Sequence, residues 1–400
     1  DAGEASLHAD QVLKLVTENV SWGTLCSCHL IKSQAGRALG RYKESANHLS
    51  QASRLAWRMK ANPPKFSVLL TKAIFAFDKQ KEKSGLSFLG QALAIGREEG
   101  FFVTGINQPG GVSKLCIKAL EARIEVEYVQ ELIRRLNIRP EKPAFHLETW
   151  PWPLKIFTLG RFELLKDGKP IRFARKAQEK PLALVKALIA LGGREVKEED
   201  LADFLWPEAE GDAAHHSFEM TLLRLRSLIG IPEALQFKDG RLTLDPRYGW
   251  VDCWAFEQVL AEADRRLKEE SPAGAVYLTQ KAIEMYQGAF IAEGAEQPGA
   301  TSLSERLRSK FLRSVSWLGR YWEQAGKYKK AFDCYHRGLE VDDLAEELYR
   351  CLMRCHQQLG QRAEAMSVYK RCKRILAVNF NIEPSAETQA IFKSLNSNVR

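Results

Sequence analysis

The side chains whose types and spacing share one chemistry lie in a single stretch, DAAHHSFEMTLLRLRSLIG, residues 212–230. Placed on a helix at about 100° per residue, Phe218, Leu222, Leu225 and Ile229 form one apolar stripe that should pack inward. His216, Met220, Leu223, Arg224 and Ser227 fall opposite, flanked by Glu219 and Arg226. A rigid helix that holds hydrogen-bonding groups on one side can read base edges in the DNA major groove. Arg224 offers the most specific contact, because a guanidinium pairs bidentately with guanine O6 and N7. His215, His216 and Thr221 are candidate polar readers or phosphate ligands near the helix start. Bland alternatives stand beside these: a surface arginine is commonly just solvated, and paired histidines can cap a helix or face water. Met220 and Leu223 add apolar surface, which suits either thymine methyls or a protein partner.

The surrounding elements decide whether such a helix can be presented at all. LKIFTLG, RFELLKDG and KPIRF read as strands, bounded by Gly160, Asp167-Gly168 and Pro170. QEKPLALVKALIALGG predicts a helix closed by Gly192-Gly193, and KEEDLADFLW predicts a short one stopped by Pro207. The candidate reading helix follows, opening on Asp212 and ending at Gly230. LQFKDGRLTL then sets Asp239-Gly240 between alternating strands, a tight-hairpin signal. Two helices, a longer third helix and a hairpin are the order of a winged helix-turn-helix, so sequence-specific DNA binding is the leading expectation.

Phosphate anchors are expected from Arg175, Lys176 and Lys180 around the first helix, and from Lys238 and Arg241 on the wing. The formal charge of +9 is not concentrated there: residues 151–250 hold 16 Lys and Arg against 15 Asp and Glu. Residues 1–150 hold 21 against 15, and 251–400 hold 22 against 20. Within the central segment the charges separate. Arg161 to Arg194 carries nine bases and three acids, whereas Glu195 to Glu219 carries one base and nine acids. Non-specific affinity should therefore be modest and salt-dependent, and acids facing DNA would repel its phosphates.

Helical repeats bracket this segment in sequence. GRYKESANHLSQASRLA is echoed about forty residues later by KSGLSFLGQALAIGREEG, so that Leu49, Ala52 and Leu55 answer Leu89, Ala92 and Ile95. Near the C-terminus Gly326, Ala331 and Tyr335 recur as Gly360, Ala365 and Tyr369, each 34 residues on. Leu318-Gly319 adds the large-then-small pair of that period, which resembles the tetratricopeptide repeat. The expected architecture is mainly α and multidomain, with tetratricopeptide-like repeats flanking a central α/β winged helix. The divisions expected are a repeat region at 1–140, a Pro-rich linker at 141–153, a winged helix at 154–250 and helical repeats at 251–400. Four prolines between residues 137 and 153 deny helix there, and the aromatic residues among them suggest that this stretch packs rather than floats.

Residues 154–400 as a whole resemble the SARP-type bacterial transcriptional activators, which join an OmpR-like winged helix to a bacterial transcriptional activation domain. The likeness rests on LGRFELLKDGKPIRF, LADFLWPEAEGDAAHHSFEMTLLRLRSLIG, RYGWVDCWAFEQVLAEA, AEELYRCLMRCHQQLGQRAEAMSVYKRCKRIL and the tail NIEPSAET. It implies an activator that binds promoter DNA as a dimer and contacts RNA polymerase or the second protomer through its C-terminal repeats. Repeats placed before the winged helix look more like large MalT-like regulators, whose repeats sense a ligand or partner and which carry an upstream NTPase. No G-x-x-x-x-G-K-[ST] occurs in this sequence. A start at Asp1 without Met suggests a processed chain or a piece of something longer.

Other chemistry finds little support. Eight cysteines are scattered at helical positions with no dense framework, and reduced thiols in a cytoplasm are expected. Cys351, Cys355 and His356 with Cys334 and Cys372 lack knuckle spacing, and Cys26-x-Cys28 points to two helix faces, so no metal is expected. No Ser/His/Asp or paired-carboxylate arrangement stands out, so neither enzymatic activity nor a cofactor is expected. No run is long enough to span a membrane. A scaffold that senses a signalling ligand, with the winged helix docking a protein instead of DNA, is the other reading.

Overall fold

The computed structural model describes residues 2–14, 21–102, 110–140, 143–171, 179–209, 211–269, 271–290 and 298–397. The fold is mainly α, with tetratricopeptide-like helices before and after a central α/β winged helix in the sequence. It divides into two compact units, Asp1–Pro151 and Trp152–Arg400. Among the described residues no helix is long and apolar enough to cross a membrane.

The first unit runs α1 (Ala2–Lys14), α2 (Trp22–Ala38), α3 (Tyr42–Met59), α4 (Asn62–Asp78), α5 (Glu82–Glu99), α6 (Gly111–Glu121) and α7 (Val126–Arg135). α2 with α3 and α4 with α5 form successive hairpins, turning at Gly40 and Gln80, both at positive φ. Leu49 and Ala52 on α3, and Leu89 and Ala92 on α5, are buried at matching positions, with Leu55 and Ile95 half-buried. The forty-residue echo is therefore a repeat of two helix pairs. After α7 the proline-bearing stretch packs: Phe145, Leu147 and Trp150 are buried, and Thr149 O accepts from Gln130 Nε2 at 2.8 Å. Between α2 and α3 the Nδ1 atoms of His29 and His48 meet at 2.9 Å, so one ring must donate and the other accept.

The second unit opens with β1 (Leu154–Phe157), β2 (Glu163–Lys166) and β3 (Lys169–Pro170). Then follow α8 (Glu179–Ala190), β4 (Val196–Lys197), α9 (Glu198–Leu205), α10 (Gly211–Ile229), β5 (Leu235–Lys238), β6 (Arg241–Leu244) and β7 (Gly249–Val251). Asp167-Gly168 and Asp239-Gly240 all have positive φ, as two-residue hairpins demand. Two short strands, β4 and β7, escape the sequence reading. β7 pairs parallel with β1 and completes a sheet of order β3-β2-β1-β7, while β4 joins the wing as β4-β6-β5.

β7 runs without a linker into α11 (Asp252–Lys268), followed by α12 (Pro272–Met285), α13 (Pro298–Gln324), α14 (Tyr328–Val341), α15 (Glu346–Gln358), α16 (Arg362–Phe380) and α17 (Ala386–Ser397). One apolar core continues from Leu154 to Leu376 across this junction. The 34-residue period is physical: Ala331 and Ala365 are buried, and Gly326 and Gly360 turn at positive φ. A Cβ on Gly319 would lie 2.2 Å from the Tyr335 ring, so only glycine lets that tyrosine fill the inter-helix gap.

The junction is fastened by Asp252. Its buried carboxylate accepts from Thr158 N at 2.8 Å, Thr158 Oγ1 at 2.6 Å, Leu159 N at 2.9 Å and Cys253 N at 2.8 Å. Burial pushes this carboxyl up, while the four donors hold it down. Asp252→Ala strands those donors and should cost about 2–4 kcal/mol, since a buried unsatisfied group costs ~1–3 kcal/mol. The check is the thermal midpoint, expected to fall by on the order of 10 °C for a unit of this size. An unchanged midpoint would refute this role.

The histidine pair makes a second prediction. Burial lowers both His29 and His48; His29 is lowered further by His48 and Lys32, and His48 by Lys32, while Glu44 and Asp10 act upward on His48. A lowered imidazole binds fewer protons folded than unfolded, so its contribution to stability is present above about 6.5 and is lost as pH falls below it. NMR titration should find both rings titrating below 6.5, and His48→Gln should flatten the acid side of the stability curve.

Candidate nucleic-acid interface

α8, α9 and α10 pack around Leu184, Leu188, Leu201, Leu205, Phe218 and Leu222, all buried. The start of α10 is held by charge: His215 Nδ1 is hydrogen-bonded to Glu198 on α9, and His215 Nε2 lies 3.5 Å from Glu219. The far end is held by the wing, where Arg226 Nη2 donates to Leu235 O at 3.0 Å. Phe218 meets Phe237 of β5 with ring centres 5.4 Å apart. The inward stripe of Phe218, Leu222, Leu225 and Ile229 is fully buried, as its spacing requires.

The outward side carries His216, Glu219, Met220, Leu223, Arg224 and Ser227, all exposed. Leu223 is 62% exposed and Met220 39%. Arg224 makes no hydrogen bond or ion pair among the described residues. Thr221 corrects the sequence reading: it is 5% exposed and so is no candidate reader. It stands three positions after Phe218 and four before Leu225, which turns it into the buried stripe. His215 is exposed but engaged by two carboxylates, and Arg226 is tied to the wing backbone.

The expected phosphate anchors have different fates. Arg175 and Lys176 lie outside the described residues. Lys180 Nζ donates to Leu205 O at 3.1 Å, closing the end of α9, and lies 5.6 Å from the Trp206 ring centre. Lys238 is exposed at the wing tip, 4.0 Å from Asp239, and Arg241 Nη1 donates to Glu195 O at 3.1 Å. The sheet register adds a residue that the sequence reading missed. Lys238 and Lys197 are each the cross-strand partner of Arg241, which puts three cations in one row across the wing. Directly opposed residues share a face. Nothing in the sequence shows this, because Lys197 is over forty residues from its partner.

Beside that row lies a groove of about 820 Å³ lined by Glu198, Glu199, Asp203, Asp212 and Asp239 as well as Lys197, His215 and Arg241. The acidic stretch thus crowds the start of α10 and borders the wing, since Lys197, Asp239 and Arg241 line the same groove. Elsewhere, the thiols of Cys351, Cys355 and Cys372 are free, buried and raised by that burial. Among the described residues no three His, Cys, Asp or Glu side chains could jointly hold a metal ion.

Residues 251–396 match the family described as "Bacterial transcriptional activator domain". The regulatory protein AfsR of Streptomyces griseus is 24% identical over 225 residues, which is 56% of this chain and 22% of that protein. The regulatory protein AfsR of Streptomyces coelicolor is 23% identical over 253 residues, 63% of this chain and 25% of that protein. The chain therefore spans about a quarter of the length of these curated relatives. Among solved structures, Mycobacterium tuberculosis EmbR in complex with a low-affinity phosphopeptide is similar at a TM-score of 0.49 and 17% identity, covering 62% of this chain and 65% of that one. The TPR2AB-domain:pHSP90 complex of yeast Sti1 has a TM-score of 0.24 and 10% identity over 94% of this chain and 99% of that one.

The hydrogen bond that His215 donates to Glu198 raises the imidazole above its ordinary 6.5, helped by the charges of Glu198, Glu219 and Asp212. Its hold on the start of α10 is thus complete below about 6.5 and is lost as pH rises through the raised value. An imidazole titration should place His215 above 6.5, with Glu198→Gln bringing it down. A midpoint unaffected by that substitution would show that the pair does not form in solution.

Proposed function

We propose that this chain is part of a SARP-type transcription activator that binds promoter DNA through α10 and the β5–β6 wing. The observation that carries the reading is continuity. A segment matching the bacterial transcriptional activator domain begins at Val251, and it shares one core with a winged helix that exposes Arg224, which has no partner among the described residues. Both AfsR matches extend beyond 200 residues, and those proteins are named as regulatory. In this reading residues 154–250 are the OmpR-like DNA-binding domain, 251–400 the activation domain, 141–153 the joining segment and 1–140 a sensor of a signalling ligand or protein. The C-terminal repeats contact RNA polymerase or the second protomer of a dimer on DNA, in the cytoplasm.

His216, Glu219, Met220, Leu223, Arg224 and Ser227 form the surface that enters the major groove, with His215 and Arg226 fixing the helix at its two ends. The row Lys197, Arg241 and Lys238 meets the phosphates, and Arg175, Lys176 and Lys180 are assigned to backbone contacts near the first helix. A second reading, in which α10 docks a protein, is favoured by the exposure of Leu223 and Met220.

Binding of the chain to a library of genomic fragments at two salt concentrations separates these readings. Enriched fragments should share a repeated motif. Arg224→Ala should weaken binding by about ten- to a hundredfold, as loss of a bidentate base contact worth ~1–3 kcal/mol implies. Lys238→Ala should weaken all fragments alike and shallow the salt dependence by about one counterion. Absence of enrichment even at low salt would overturn the DNA reading.

A further inference from the structure

We infer that α10 recognises thymine 5-methyl groups through Leu223 and Met220, beside a guanine taken by Arg224. This rests on the DNA-binding reading above and names the chemistry that the site selects. The outward ridge of α10 holds few side chains with a hydrogen-bonding code. Arg224 is the one exposed group there with both a bidentate fork and no partner among the described residues. Glu219 faces His215, and Arg226 is spent on the Leu235 carbonyl. Thr221, whose hydroxyl would have been the natural small polar reader, is turned inward.

Beside the polar His216 and Ser227, the exposed ridge is apolar. Leu223 is 62% exposed and Met220 39%, and three positions apart they lie on one side of the helix. Along the axis they are separated by about 4.5 Å at ~1.5 Å per residue, close to the ~3.4 Å spacing of bases along a strand. A recognition helix lying along the groove would set them over neighbouring base steps. In the major groove the only apolar feature of a base pair is the thymine methyl. Met220 stands three positions before Leu223 and four before Arg224, so it lies between them on the outward side; a thymine adjacent to, or one step from, a guanine is the combination that satisfies all three side chains.

The electrostatics push the same way. Glu198, Glu199, Asp203 and Asp212 line the groove at the start of α10, where a more basic protein would gain phosphate contacts. Discrimination must then come from the ridge itself, with phosphate attraction supplied by Lys197, Arg241 and Lys238 on the wing. An apolar readout also needs no desolvation of a charged side chain on entry to the groove, unlike an acidic or lysine reader.

The test replaces each thymine of a selected binding site, one at a time, by deoxyuridine, which removes only the methyl. One or two positions per half-site should lose affinity by about three- to fivefold, the weight of one buried methyl-sized group. In Leu223→Ala that sensitivity should vanish at its position, while Arg224→Ala binds more weakly and keeps it. The substituted side chain is on the surface, so an unchanged thermal midpoint confirms folding. Binding that is intact but indifferent to every deoxyuridine overturns this inference and leaves the DNA-binding reading standing. Failure to select any DNA overturns both, and a protein partner lost in Leu223→Ala would then mark the ridge as a docking surface.

Discussion

The carboxylate of Asp252 fastens the hydrogen-bonded junction between the two halves of the second unit, over the apolar core that they share. It sits at the first turn of α11, immediately after β7, and gathers the backbone donors at the end of β1 together with the Thr158 hydroxyl. An acid at a helix start is favoured by the exposed N–H groups there and by the helix dipole. Here the same acid also satisfies the strand that β7 pairs with, so strand end and helix start are set in one register. Everything downstream follows. The antiparallel bridge of Leu159 with Phe290 and the bond from Gly160 N to Ala289 O lie just beyond this point and fold the end of α12 back onto the sheet. The winged helix and the repeats thus behave as one body, because their junction is buried and hydrogen-bonded rather than exposed.

The outward ridge of α10 results from competing demands on one helix. Its inner stripe must bury Phe218, Leu222, Leu225 and Ile229, and Thr221 is drawn in with them. Its ends are pinned, at one by the His215–Glu198 pair and at the other by Arg226 on the Leu235 carbonyl. What is left for recognition is a short run centred on Leu223 and Arg224. Acids on α9 and at the wing turn narrow the surface that an anionic partner can approach. Positive charge is supplied by the wing, where strand register collects three cations that the sequence scatters.

Both repeat regions solve the same packing problem with small residues. Ala52, Ala92, Ala331 and Ala365 are buried where helices approach closely, and Gly319 and Gly96 stand where any side chain would strike a tyrosine. No single helix pair could bury its inner face alone; stacking does it. Glycine at these places is therefore set by distance rather than by backbone conformation, unlike Gly326 and Gly360, whose positive φ closes a turn.

Much of this was legible in the residues. Periodicity at 3.6 placed the buried stripe of α10, Asp239-Gly240 placed the wing hairpin, and the 34-residue recurrence placed the C-terminal helix pairs, because each signal is local. The exposed ridge was legible for the same reason. What sequence could not supply was anything set between elements. The inward turn of Thr221 depends on how wide a stripe the neighbouring helices cover, and the capture of His215 depends on Glu198 of α9. The bond from Lys180 to the Leu205 carbonyl depends on where α9 ends. The strands β4 and β7 are too short to announce themselves and exist only because β6 and β1 offer them hydrogen bonds. The basic row of the wing, joined from Lys197, Lys238 and Arg241, appears only once register is fixed, since side chains far apart in sequence become neighbours solely through backbone pairing.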